Sequence, residues 1–330
     1  MKKILFVIFI SFFLLTGCGN YNEKNIIKSL RKTYDKSNGY KLSGLLTIVN
    51  NDEVYNYDIN VSYKKDNYYR VTLKNTANEH MQVILKNNDG VYLLTPALNK
   101  SFRFQSEWPY NNSQIYLIDA LLNDLEKENE REFSKSDDKY IYKTKVDYPN
   151  NNSLKYQKVI LDDNLNLKSI SVYDKNNVEK MSMEFNKINF TPKFKKDEFS
   201  IDSIISSKNN NIVTETGSLD DVIYPLFLPS GTKLVDEEVV KKDNGQRVIM
   251  SYDGDKSFLL VEETTDVLNE FTIIPTSGDL YQLMDTLGVA TENSLSWTSN
   301  GIDYYLVSDV MNRDEMVQVA ESIVGIVSMK

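Results

Sequence analysis

The hydrophobic positions change period along the chain. An apolar run over residues 4–15 follows Met1-Lys2-Lys3 and is too short to span a bilayer as a helix. Ile26, Ile27, Leu30 and Tyr34 then recur at helical spacing with Lys and Arg between them. They predict an amphipathic helix over residues 23–36, ended by Asn38-Gly39. From there the period is two. Tyr40, Leu42, Leu46 and Ile48 share one parity. Tyr55, Tyr57, Ile59, Val61 and Tyr63 share another, with Asn56, Asp58, Asn60 and Ser62 between them, which is a strand with one dry and one wet face. Tyr69, Val71 and Leu73, then Met81, Val83 and Leu85, repeat the alternation. Asn87-Asn88-Asp89-Gly90 has hairpin chemistry, and strands are expected at 91–95 and 102–104.

A polar loop over 106–112 interrupts the strands, and Ser113 is placed to cap a helix carrying Ile115, Ile118, Leu122 and Leu125. Strands resume at 140–146, 155–161, 167–173 and 179–188, the last with Met181, Met183 and Phe185 on one side. Such a meander has more apolar face than two short helices can cover. The sheet must curl on itself and the helices must plug what remains, which tends to enclose an apolar cavity. Residues 206–217 read as a linker. Beyond it, turn chemistry at Pro229-Ser230-Gly231-Thr232 precedes strands at 233–240, 246–252, 258–263, 295–298 and 302–307. Asn312 with Glu315 opens a last helix whose stripe is Met316, Val319, Ala320, Ile323 and Val324. The expected fold class is α+β: a curled antiparallel half-barrel with a helical lid over 23–205, and a small α+β domain over 218–330.

Leu15-Thr16-Gly17-Cys18 after a basic start and an apolar run resembles a bacterial lipobox. That resemblance implies a signal peptide over 1–17, a diacylglyceryl group on Cys18, a tether over 18–22 and a place on the extracytoplasmic face of a membrane. Cys18 is the only cysteine, so no intramolecular disulfide exists, and lipidation accounts for the lone thiol. Two or more acyl chains suffice for stable anchoring. The formal net charge is −9, or −11 once a leader carrying Lys2, Lys3 and no acid is removed. An acidic body is a poor match for nucleic acid or anionic headgroups. The 21 tyrosines suit half-buried strands and equally a ligand groove with polar tips.

Catalytic chemistry is sparse. His80 is the only histidine and reads as a surface residue beside a polar turn rather than a triad member. No phosphate-binding glycine loop occurs. Asp137-Asp138, Asp162-Asp163, Glu237-Glu238 and Glu262-Glu263 are adjacent acids, which a strand points to opposite faces. Asp162-Asp163-Asn164 and Asp253-Gly254-Asp255 lack the spacing of a calcium loop and read as turns. No metal, cofactor or catalytic residue is expected. The dry-face residues Tyr55, Tyr57, Ile59, Val61, Leu73, Val83, Leu93, Phe102, Met183 and Phe185 are candidates for lining an apolar cavity, or for an ordinary core.

The stretch Tyr63-Lys64-Lys65-Asp66-Asn67-Tyr68-Tyr69-Arg70, followed by Asp89-Gly90 and Tyr92 through Pro96, resembles the LolA/LolB family of lipoprotein carriers, as does the order of elements over 23–200. The resemblance implies an unclosed β-barrel whose helical lid covers a cavity for acyl chains. Lys65 lies nearest the basic residue that those carriers use at the lid, and Asp66 stands where Pro is usual. The second unit, around Leu228-Pro229-Ser230-Gly231-Thr232, looks like a domain of unknown function in bacterial surface and sporulation lipoproteins. Together they imply a tethered binder of a lipid or a lipoprotein acyl chain. The alternative is a non-enzymatic scaffold for an envelope or spore-cortex partner in sporulation or germination.

Overall fold

The computed structural model describes residues 22–50, 53–105, 108, 114–127, 131–146, 148, 153–206, 219, 221–243, 245–283 and 285–327. The leader 1–17, Cys18, the Ser113 cap and the linker from 207 onward lie outside the described residues, as does most of the 106–112 loop.

Helix α1 (Glu23–Lys36) has the predicted bounds. Asn22 Oδ1 accepts from the Asn25 N–H at 2.9 Å, and Ser37 Oγ donates to the Tyr34 carbonyl at 2.7 Å, so side chains satisfy backbone groups at both ends. Ile26, Ile27 and Tyr34 form its buried face. Six strands follow: β1 (Gly39–Asn50), β2 (Glu53–Lys64), β3 (Tyr68–Asn75), β4 (Met81–Asn87), β5 (Gly90–Thr95) and β6 (Lys100–Phe104). After α2 (Ile118–Lys127) come β7 (Glu132–Ser136), β8 (Lys139–Lys145), β9 (Leu154–Asp162), β10 (Leu167–Asp174) and β11 (Glu179–Asn189), then α3 (Ile201–Ser206). The last stretch holds β12 (Lys233–Lys242), β13 (Gly245–Asp253), β14 (Phe258–Thr264), β15 (Thr272–Thr276), β16 (Asp279–Gln282), β17 (Leu287–Ala290), β18 (Ser294–Ser299), β19 (Ile302–Val307) and α4 (Arg313–Val327).

Among the described residues the first sheet has the order β15-β6-β5-β4-β3-β2-β1-β11-β10-β9-β8-β7. Hairpins make most neighbours. The non-local pair β1–β11 joins the two halves, with a bulge at Ser43/Gly44. A Cβ on Gly44 would stand 2.1 Å from the Glu184 carbonyl oxygen, so the strands meet this closely only because Gly44 has no side chain. The end strands β15 and β7 do not pair, which leaves an open, curled sheet of the expected α+β class. Helices α1 and α2 lie across its inner face and share one apolar core with β1, β2, β3 and β8–β11.

The second sheet runs β12-β13-β14-β19-β18-β17-β16 and packs against Met316, Val319, Ala320 and Ile323 of α4. The Val324 side chain lies outside the described ones. Glu262 and Glu263 do point to opposite faces. Glu263 meets Lys242 and Arg247 outside, whereas Glu262 is 0% exposed within the core. Its Oε2 accepts from the Ile223 N–H at 3.0 Å and its Oε1 has no partner among the described residues, so burial raises this carboxyl to about 8.

The hydrophobic pattern does not predict strands β7, β15, β16 and β17. β7 is polar and lies at an edge, and the other three have only five, four and four residues. β15, within the stretch read as the C-terminal unit, pairs in parallel with β6 of the first sheet. Only Ser277-Gly278 separates it from β16, the far edge of the second sheet. Leu280, Leu287 and Val289 enter the first core. Gln82 of β4 completes the junction. Its amide accepts from the Leu287 N–H at 2.7 Å and donates to the Leu287 carbonyl at 3.1 Å, as a neighbouring strand would.

Candidate functional site

A cavity of about 580 Å³ opens between the two lid helices and the β9–β11 side of the half-barrel. Leu30 of α1 and Ile118, Leu121, Leu122 and Leu125 of α2 form its roof. Val159, Leu161, Leu167, Phe185, Ile188 and Phe190 line the opposite side, and Ser29 and Thr33 of α1 add hydroxyls. The helical spacing of the α2 leucines and the two-residue period of β9 aim these side chains at each other, and on β11 the bulge opposite Ser43/Gly44 brings Phe185 and Ile188, three residues apart, to the same face. The rim is polar: Asn164, Asn166, Lys168, Asn186 and Lys187. Asp162 fixes the rim hairpin. Its Oδ1 accepts from the Asn164 and Asn166 N–H groups at 3.0 and 2.8 Å, and its Oδ2 from Asn166 Nδ2 at 3.0 Å. Slight burial pushes this carboxyl up, but those hydrogen bonds outweigh it and hold it below its ordinary value.

Elsewhere on the inner face, aromatic side chains among the described residues pack on one another. From Phe190 an aromatic row runs through Tyr40, Tyr63 and Tyr69 to Trp108, with ring centroids 6.2, 5.1, 4.6 and 5.3 Å apart in turn. Tyr34 of α1 stacks on Tyr63 at 6.0 Å. Burial pushes the Tyr34 and Tyr40 phenols far above their ordinary value, so both stay neutral.

Two basic residues hold the lid. Arg31 of α1 donates to Glu126, Asp119 and Asn123, which lie along one face of α2, at 2.8 to 3.0 Å. Lys65, in the turn after β2, donates from Nζ to the Asp35 carbonyl at the end of α1 at 2.5 Å. Lys65 therefore secures one helix end, and the contact between the helices belongs to Arg31, a residue that no sequence motif singles out.

No family model matches the chain. Sporulation protein YdcC of Bacillus subtilis (strain 168) is 34% identical to it over 315 residues, 94% of this chain and 93% of that protein. This chain belongs to the YdcC family. Solved structures are more distant from this YdcC relative. A chain of the Pseudomonas aeruginosa MucA/MucB complex gives a TM-score of 0.34 at 12% identity, covering 91% of this chain and 97% of its own. LolA superfamily protein NE2245 from Nitrosomonas europaea gives 0.31 at 10%, covering 56% and 99%.

In this YdcC-family chain the ten candidate lining residues do not form one surface. Tyr55, Tyr57, Ile59, Val61, Leu73, Leu93, Met183 and Phe185 are buried in the main core, and Phe102 packs half-buried against it. Of the ten, Phe185 alone lines the cavity. Val83 points to the opposite face, into a satellite cluster with Leu85, Tyr92, Leu94 and Ile204 under α3. β4 is buried on both faces, so alternation could not say which was inward. The cavity's α2 leucines and the Leu165–Leu167 hairpin were legible as elements, but their meeting depends on the β1–β11 closure. His80 lies between β3 and β4, half-buried, and Nε2 has no partner among the described residues. Asp253 accepts from the Gly254 N–H at 2.8 Å within its turn. Among the described residues, no cluster of three His, Cys, Asp or Glu is placed to hold a metal ion, and no helix is long and apolar enough to cross a membrane.

Proposed function

We propose that this member of the YdcC family is an extracytoplasmic, non-enzymatic lipoprotein, anchored through diacylglyceryl-Cys18, that holds an acyl chain of a lipid or lipoprotein. The cavity between α1, α2 and β9–β11 carries this reading. Its volume lies within the range of about 300–1,000 Å³ usual for ligand pockets, and a run of leucines, isoleucines, Val159 and two phenylalanines lines it beside polar groups such as Ser29, Thr33, Asn186 and two lysines. Lys168 and Lys187 make the cavity lining locally basic on an otherwise acidic chain, and so suit an anionic headgroup there. Localisation outside the cytoplasm rests on the lipobox.

Native mass spectrometry of the intact chain, released from detergent, tests the reading with phosphatidylglycerol as probe. An adduct of lipid mass that Ile188→Trp removes is the expected result. A bare mass at saturating lipid, with the same spectrum for the variant, would end the proposal.

A second reading, a partner for envelope or spore-cortex machinery in sporulation or germination, is favoured by kinship with sporulation protein YdcC. Affinity capture from sporulating cells, with and without a deletion of the gene for the recovered partner, tests it.

A further inference from the structure

β12 is the outermost strand of the second sheet, and among the described residues nothing pairs with its outer edge. Long free edges invite pairing and are ordinarily blunted by charge or proline. The residues here are Asp236-Glu237-Glu238-Val239-Val240-Lys241-Lys242: acids, then valines, then lysines. Val235, Val239 and Val240 are exposed, Val239 by 48%. Such an order is complementary to itself when reversed.

The backbone sets the register. The β12–β13 hairpin closes at Lys242 and Gly245, with Lys241 opposite Gln246. The Gln246 N–H turns toward β14 and reaches Thr264 Oγ1 at 3.4 Å. Lys241 therefore directs its own N–H and C=O away from β13, and by the alternation of antiparallel ladders so do Val239 and Glu237. A two-fold axis at Val239 brings these three residues onto the same three of a second copy: Val239 on Val239, Glu237 on Lys241, Lys241 on Glu237. Asp236 then faces Lys242 and Glu238 faces Val240. Every neighbouring register sets like charges together. An axis at 237, 238 or 241 opposes Glu237, Glu238 or Lys241 to itself, and one at 240 sets Glu237 against Asp243. Glu237 keeps one oxygen for the contact, because Tyr224 occupies only Oε2, at 2.7 Å. Lys242 is shared with Glu263 and Asp266, whereas Lys241 has no ion pair among the described residues. Val239 shares a face with buried Val248, its partner on β13, so a second Val239 extends the apolar face of the sheet.

We propose that β12 is a homodimerisation edge at which two copies pair antiparallel about Val239 and fuse their second sheets into one. The interface is isologous, as closed dimers require. Opposed residues in such a pair have Cα atoms about 5.5 Å apart, within disulfide reach.

The test uses the full chain in detergent, by light scattering after size exclusion and by oxidative cross-linking. The expected results are a dimer for the native chain and a disulfide-linked dimer for Val239→Cys, with the native chain, carrying Cys18 only, as the control. Glu237→Lys alone and Lys241→Glu alone each weaken the dimer about tenfold or more by opposing like charges twice, and a mixture of the two variants restores it as a heterodimer. A monomeric native chain with no Val239→Cys cross-link overturns the proposal. So do single charge variants that dimerise undiminished.

Discussion

Arg31 and Glu126 belong to different helices and meet as a fork: Nε to Oε1 and Nη2 to Oε2 are both 2.9 Å. The guanidinium also reaches Asp119 and Asn123, so one α1 side chain spans more than a turn of α2 over the cavity roof. Isolated surface ion pairs contribute little, but a forked, half-shielded contact within a network contributes more. Arg31→Ala should cost about 1–2 kcal/mol in urea denaturation. It should also speed the release of a bound acyl-chain probe, read by stopped-flow fluorescence. Arg31→Lys, which loses the fork, should resemble Ala more than the native protein.

Gly44 bears on the closure between the two halves of the first sheet. An added methyl group meets the Glu184 carbonyl at 2.1 Å and Met183 Cε at 2.6 Å. The first is backbone and cannot turn aside. Gly44→Ala should lower stability by at least about 2 kcal/mol, measured by thermal and urea unfolding. Ser43→Ala, one residue away, should leave it within about 0.5 kcal/mol.

Gln82 ties the sheets together. Gln82→Leu keeps the bulk but strands the buried N–H of Leu287, at about 1–3 kcal/mol, and leaves its carbonyl only the longer 3.4 Å hydrogen bond from the Thr286 hydroxyl. If the two sheets unfold as one body through this contact, the variant should separate a single denaturation transition into two. An unchanged single transition at native stability would show that β15 alone couples them.

Glu262 makes stability depend on pH. Its carboxyl is raised from an ordinary 4.5 to about 8, so the folded chain binds more protons than the unfolded chain between those values. The stability present at pH 4.5 is therefore lost as pH rises, with the loss complete above about 8. Asp285, raised by burial to about 6, adds to the same trend over a narrower window. Glu321, raised by burial to about 7, does the same, so the melting temperature should fall from pH 5 to pH 8, and Glu262→Gln should remove the largest single part of that slope. A tenfold change in proton affinity is worth about 1.4 kcal/mol, so the variant should be the more stable protein at pH 8.

The elements read well from sequence where one face was wet. α1 carries polar residues on its outer side and β2 alternates strictly, so the pattern places each near its observed bounds. β4 defeats the same reasoning because α3 covers its second face, and alternation puts Val83 on the wrong side of the sheet. The site is harder still. Tyr55, Tyr57 and Ile59 have the pattern of a lining, yet they are packed beneath other groups. Periodicity reports burial and cannot distinguish a wall that faces a void from one that faces another side chain. Arg31 carries no local signal, since its partners lie 88 to 95 residues away.

The parallel pair β15–β6 also bears on how the protein is made. Synthesis runs from the N-terminus, so β6 emerges long before residues 272–276 exist. Until they arrive, the nascent half-barrel presents Lys100–Phe104 as a bare template to any extended segment nearby, its own unfinished chain included. The last strand of the first sheet is delivered by the chain that builds the second. A ribosome that stops at the linker would release a half-barrel with a raw margin, not a smaller version of the protein.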